Sequence, residues 1–87
     1  MLSLKTIKKY EPEMKRLKVS EVARSPRGFL TAYKKAGSPD KLSPKWKQTR
    51  EAFIARHNSQ YKRNPHYRQY LSLIAWGYKP TKRHNNE

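Results

Sequence analysis

The 87-residue chain contains no cysteine, so neither a disulfide nor a thiolate metal site is open to it, and a reducing compartment is expected. Long apolar runs are missing as well. Nothing approaches the roughly 20 consecutive apolar residues of a membrane span. Met1 to Leu4, followed by Lys5, Lys8 and Lys9, lacks the apolar stretch of a signal peptide. The expectation is a soluble chain that stays in the cytoplasm in which it is made, with no membrane partner. The third scarcity is of acids: six Asp and Glu in all. Arg56-His57-Asn58 has no carboxylate close behind it after Glu51, and His66 and His84 do not stand at zinc-ligand spacing from His57. His57 therefore reads as a packed side chain. No catalytic residue, metal or cofactor is expected, and the chain does not read as an enzyme.

What is abundant is positive charge. Twenty-one Lys and Arg give a formal net charge of +15, which attracts polyanions from a distance. Nucleic acid is the first partner expected for so small a basic chain, DNA ahead of RNA, with an acidic protein surface as the alternative. The 34% hydrophobic fraction suffices for one thin core in a single domain, in which Trp46, Trp76, Phe29 and Phe53 supply much of the buried area.

Three steps punctuate the chain at Ser25-Pro26, Ser43-Pro44 and Asn64-Pro65. Each reads as a helix start, because Ser or Asn accepts a hydrogen bond from the unpaired first-turn N–H groups and Pro has its φ set for the first helical position. The spacing predicts an all-α fold, a compact three-helix domain over 25–78 with helices at about 26–36, 44–63 and 65–76. Phe29, Leu30, Tyr33 and Ala36 form the apolar side of the first helix, and Gly37 suits a left-handed C-terminal cap. Trp46, Arg50, Phe53, Ile54, His57 and Tyr61 share a face of the second. Asn64-Pro65 stops that helix, since a residue before Pro disfavours helical geometry. The third is apolar almost all round and reads as central.

Residues 1–24 read as an irregular, partly helical basic arm. Ile7, Tyr10, Met14 and Leu17 keep helical spacing, but Pro12 falls inside the pattern and predicts a break near Glu11. Residues 79–87, after Gly77 and around Pro80, read as a short basic tail.

The functional motifs are short. Ser25-Pro26-Arg27 and Ser43-Pro44-Lys45 resemble the Ser-Pro-basic units of histone tails, which are associated with narrow A·T-rich minor grooves; helix capping is the favoured reading of both, minor-groove insertion the alternative, and a helix start can also meet a phosphate. From Tyr61 to Tyr70 cations alternate with rings, a pattern that serves phosphate contact and base stacking, or equally a packed tyrosine face with a basic rim. The cluster Lys15-Arg16-Leu17-Lys18 is either a phosphate contact or solvated charge. The residues expected to meet nucleic acid are Arg27, Lys34 and Lys35 as one patch, Lys45, Arg56 and Arg63 as another, and Lys62, Arg68, Lys82 and Arg83 beside them. Contacts of this kind go to the backbone and carry little sequence discrimination. A helix-turn-helix is not indicated, because residues 38–42 make too long a connection.

The segment from Ser25 to Gly37, with Phe53-Ile54-Ala55-Arg56-His57 and Leu73-Ile74-Ala75-Trp76-Gly77-Tyr78, resembles small uncharacterised basic proteins of tailed phages and other large DNA viruses. The likeness spans about residues 20–80 and contains no functional motif. It implies a phage or viral setting, in the infected cell's cytoplasm or within the virion, and transfers no site residue. In that setting the alternative partner becomes an acidic surface of a host enzyme or of a virion component.

Overall fold

In the structure, a computed structural model that describes residues 1–80 and Arg83, helices α1 (Leu4–Leu17), α3 (Phe29–Ala36), α4 (Pro44–Arg63) and α5 (Tyr67–Ala75) build an all-α globule. A single turn, α2 (Glu21–Arg24), and a 3-10 turn at Pro39–Lys41 complete the order, and no strand occurs among the described residues. The radius of gyration is 12.3 Å, against about 12 Å for a compact chain of this length.

The irregular N-terminal arm and the break near Glu11 are not found. Helix α1 runs unbroken through Pro12, opened by Ser3, whose hydroxyl accepts from the Thr6 N–H at 3.2 Å. An interior Pro costs a helix about 3 kcal/mol, but Ile7 and Met14, on either side of it, are fully buried, and each such side chain contributes about 1.5–3 kcal/mol. Pro12 and Lys8, whose carbonyl loses its partner, both lie on the exposed side, where water can replace the missing donor. Helix α1 accordingly packs against α5 as an integral part of the core.

The three start signals behave differently. Ser43-Pro44 opens α4 as expected: the Ser43 hydroxyl accepts from the Trp46 N–H at 3.3 Å and Pro44 is the first helical residue. Ser25-Pro26 instead makes a turn, closed by Gly28 N–H to the Ser25 carbonyl at 2.9 Å and by the Thr31 hydroxyl to the same carbonyl at 2.8 Å, so α3 starts three residues later than expected. Asn64-Pro65 ends α4, but α5 begins only at Tyr67, after His66 N–H has turned back to the Asn64 carbonyl at 2.9 Å. Gly37 takes the expected left-handed conformation, φ 82°, and closes α3.

One polar knot joins Leu2, the middle of α4 and the end of α5. The Arg50 guanidinium on α4 donates to the Trp76 and Gly77 carbonyls at the end of α5, at 2.7 and 3.0 Å. Gly77 O also accepts from Leu2 N–H at 2.8 Å, and Tyr33 donates to Leu2 O at 2.9 Å. Burial holds the Arg50 pKa below the usual arginine value. Gly77 has φ 77°, and a Cβ there would stand 2.9 Å from Met1 Cγ, so both backbone and space favour glycine.

The interior is aromatic. Phe29 and Phe53 stack on Trp76 at centroid distances of 5.0 and 4.3 Å, and His57 stacks on Phe53 at 4.0 Å. A second cluster sets Tyr10, Tyr61 and Tyr67 around Tyr70 at 6.1–6.3 Å, and burial among these phenols pushes the Tyr70 pKa up to about 12. No helix among the described residues is long and apolar enough to cross a membrane. Most of the basic tail, residues 81, 82 and 84–87, lies outside the described residues.

Candidate nucleic-acid interface

Two grooves flank α3 and meet at Thr31, which lines both. The first, about 180 Å³, is walled by Lys15 of α1, Arg24 of α2 and Lys34 of α3, with Glu11 and Leu30. The second, about 340 Å³, is walled by the Pro26–Gly28 turn, Lys35 of α3 and Trp46 of α4. Five cations and one carboxylate thus line a surface that passes from α1 across α3 to the start of α4.

The patch expected at Arg27, Lys34 and Lys35 is divided by the turn of the helix. Consecutive residues point about 100° apart, so Lys35 joins Arg27 in the larger groove while Lys34 falls in the smaller, where its ammonium pairs with Glu11 at 3.1 Å. Arg27 and Lys35 are exposed, and neither forms an ion pair among the described residues. Lys45, Arg56 and Arg63 are exposed along α4. Their spacing of eleven and seven residues sets them in one line about 27 Å long. Lys62 is exposed on the last turn of α4 beside Arg63.

Arg68 has structural work: its guanidinium donates to the Leu17 carbonyl at the end of α1 and ties α5 to that helix. Arg83 is exposed, and Lys82 lies outside the described residues. The alternation from Tyr61 to Tyr70 resolves into a packed tyrosine face, with Tyr61 buried and Tyr67 and Tyr70 partly so, beside exposed Lys62, Arg63, His66 and Arg68. Tyr61 is fully buried and does not border an open groove.

Two features were read in the sequence only in part. Lys5, Lys8, Lys9, Lys15 and Arg16 line the solvent face of α1 opposite Ile7 and Met14, and are all exposed. Had the pattern been followed through Pro12, the three- and four-residue steps from Lys5 to Lys8 and Lys9 and the seven-residue steps from those to Lys15 and Arg16 would have given the stripe. The acids of this helix sit at its margins, Glu13 on Arg16 at 2.6 Å and Glu11 on Lys34. The pairing with Arg16 holds the Glu13 carboxyl below its usual value. The other feature is Trp46 at the larger groove, half-buried rather than sealed in the core.

His57 is packed, as its position implied. Burial, reinforced by neighbouring Arg56, holds its pKa below the ordinary value. Among the described residues no three His, Asp or Glu side chains gather in a way that could hold a metal ion. Comparison with protein-family models, with curated proteins and with solved structures gives no match to this chain.

Proposed function

We propose that this chain binds nucleic acid through phosphate contacts with little sequence discrimination. The observation that carries the reading is the surface around α3, where Lys15, Lys34, Arg27, Lys35 and Arg24, the last also donating to the Val19 carbonyl at 3.1 Å, have Glu11 as their one carboxylate. Only two ion pairs form among the described residues, so the surplus charge is left largely uncompensated by the fold. The cationic stripe of α1, about 17 Å from Lys5 to Arg16 at 1.5 Å per residue, extends the same surface. Steering by such a field raises the encounter rate with any polyanion, and contacts limited to phosphates fix position without reading bases. The phage or viral setting implied by the sequence resemblance belongs to this reading, with the infected cell or the virion as the place of action.

The test is the salt dependence of binding to a 20-base-pair duplex and to a 20-nucleotide single strand, followed by fluorescence anisotropy. About five phosphate contacts predict a slope of log K on log salt near −4.5 on duplex, or near −3.5 on a single strand. Charge reversal at Lys15 and Lys34 together should reduce the slope by about 2. Absence of binding to either strand form in dilute buffer overturns the reading and leaves an acidic protein surface as the target.

A further inference from the structure

Trp46 shares with Tyr33 the lack of a parallel ring partner, but Tyr33 is buried whereas Trp46 is half-buried. Phe29, Phe53, Trp76 and His57 each lie nearly parallel to a neighbour, at interplanar angles of 15–26°. Trp46 meets Phe29 at 65° and Trp76 at 48°, so among the described residues no ring stacks on it. It is half-buried and forms one wall of the 340 Å³ groove, a volume within the range of about 300–1,000 Å³ typical of small-ligand clefts. Arg27 and Lys35, both exposed, line the same groove, and no acidic side chain does. An indole that shares a groove with two cations complements a ligand that has a flat π-face and adjacent anionic groups.

We propose that this groove takes one unpaired base of a single-stranded nucleic acid, stacked on Trp46 with its flanking phosphates held by Arg27 and Lys35. The inference rests on the nucleic-acid reading above and adds a preference to it. In a duplex each base is already stacked and paired, so only the cations of the groove can engage it. In a single strand the indole contributes as well, and stacking of a base on an aromatic side chain is worth about 1–3 kcal/mol, or roughly fivefold to a hundredfold in affinity.

The experiment titrates the protein with dT12, rU12 and a 12-base-pair duplex while following tryptophan emission and, separately, the anisotropy of labelled strands. Trp76 is 4% exposed but lines a separate groove with Phe53 and His57, so quenching reports on Trp46 where Trp46→Phe, which leaves Trp76 as the emitter, abolishes it. The expected result is quenched emission with dT12 or rU12, the quenching strand deciding between DNA and RNA, and binding of the duplex without quenching. Trp46→Leu should weaken single-strand binding roughly fivefold to a hundredfold and change duplex binding less than twofold, whereas Arg27→Glu with Lys35→Glu should weaken both. If Trp46→Leu does not fold, as judged by circular dichroism, the loss of quenching in Trp46→Phe, which keeps a ring at the site, decides. Single-strand binding with unchanged emission, or with no effect of a folded Trp46→Leu, overturns the base-stacking site and leaves phosphate binding in place. Failure to bind any of the three ligands overturns the functional reading and the stacking site together.

Discussion

Replacing Arg50 with Met removes the tie between the middle of α4 and the end of α5 while keeping most of the side chain's apolar stem. Two charge-assisted hydrogen bonds are lost, to the Trp76 and Gly77 carbonyls at 2.7 and 3.0 Å. Hydrogen bonds to charged groups contribute about 1.5–3 kcal/mol each when well shielded. Arg50 is only half-buried, and water will partly replace it, so the pair together is worth about 2.5 kcal/mol. A cation at the C-terminal end of a helix adds to this in the same direction. At about 4–8 °C per kcal/mol for a domain of this size, the midpoint of thermal unfolding should fall by roughly 10–20 °C.

The control is Arg56→Met, which deletes the same charge from an exposed position of the same helix. Relief of self-repulsion in a chain of net charge +15 acts in favour of both variants, so it cannot account for a loss at Arg50 alone. Arg56→Met should stay within about 0.5 kcal/mol of the original protein. Melting followed by circular dichroism at 222 nm measures both variants. Equal midpoints would refute the reasoning, since the knot joining Arg50, Gly77 and Leu2 would then contribute nothing beyond its charge.

Other perturbations test separate parts of the structure. Ile7→Ala and Met14→Ala should each cost about 2–5 kcal/mol in urea unfolding, because both side chains are fully buried; a loss below about 1 kcal/mol would make residues 4–17 a dispensable arm after all. Lys18 closes α1 in the left-handed conformation, φ 55°, with Val19 N–H returning to the Met14 carbonyl at 2.8 Å. Lys18→Gly removes roughly 1–2 kcal/mol of backbone strain and adds roughly 0.5–1 kcal/mol of chain entropy to overcome, so a net gain of about 0.5–1 kcal/mol is expected and an unchanged or lower urea midpoint would contradict it. The His57 pKa is depressed in the folded state, so below about pH 6.5 the unfolded chain binds the extra proton and stability falls as pH drops toward the folded value. His57→Phe, which keeps a ring against Phe53, should flatten that part of the stability–pH curve relative to the original protein, and an identical slope would exclude His57 as its source.

Local signals were read well where local hydrogen bonding decides. Ser43 and Pro44 hold the start of α4, Asn64-Pro65 its end, and Gly37 the end of α3, each through atoms within a few residues in the chain. The same signal at Ser25-Pro26 failed because the Ser25 carbonyl, engaged by Gly28 and Thr31, closes a turn there in place of a helix. Pro12 misled for a different reason. Its cost is local and visible, whereas the burial of Ile7 and Met14 that outweighs it depends on where α5 lies. The tyrosines between 61 and 70 alternate with cations in sequence, yet only packing decided that Tyr61 turns inward and that Arg68 serves the end of α1.

By itself the sequence determined the all-helical class, the limits of α4 and the excess of positive charge, since these follow from capping chemistry, side-chain periodicity and composition. Only the tertiary structure decided which cations share a surface. It set Lys34 against Glu11, carried Lys15 and Arg24 to one side of α3, and joined Arg27 and Lys35 to Trp46 on the other. A charge acts over distances in space rather than along the chain, so that grouping existed only once the helices had packed.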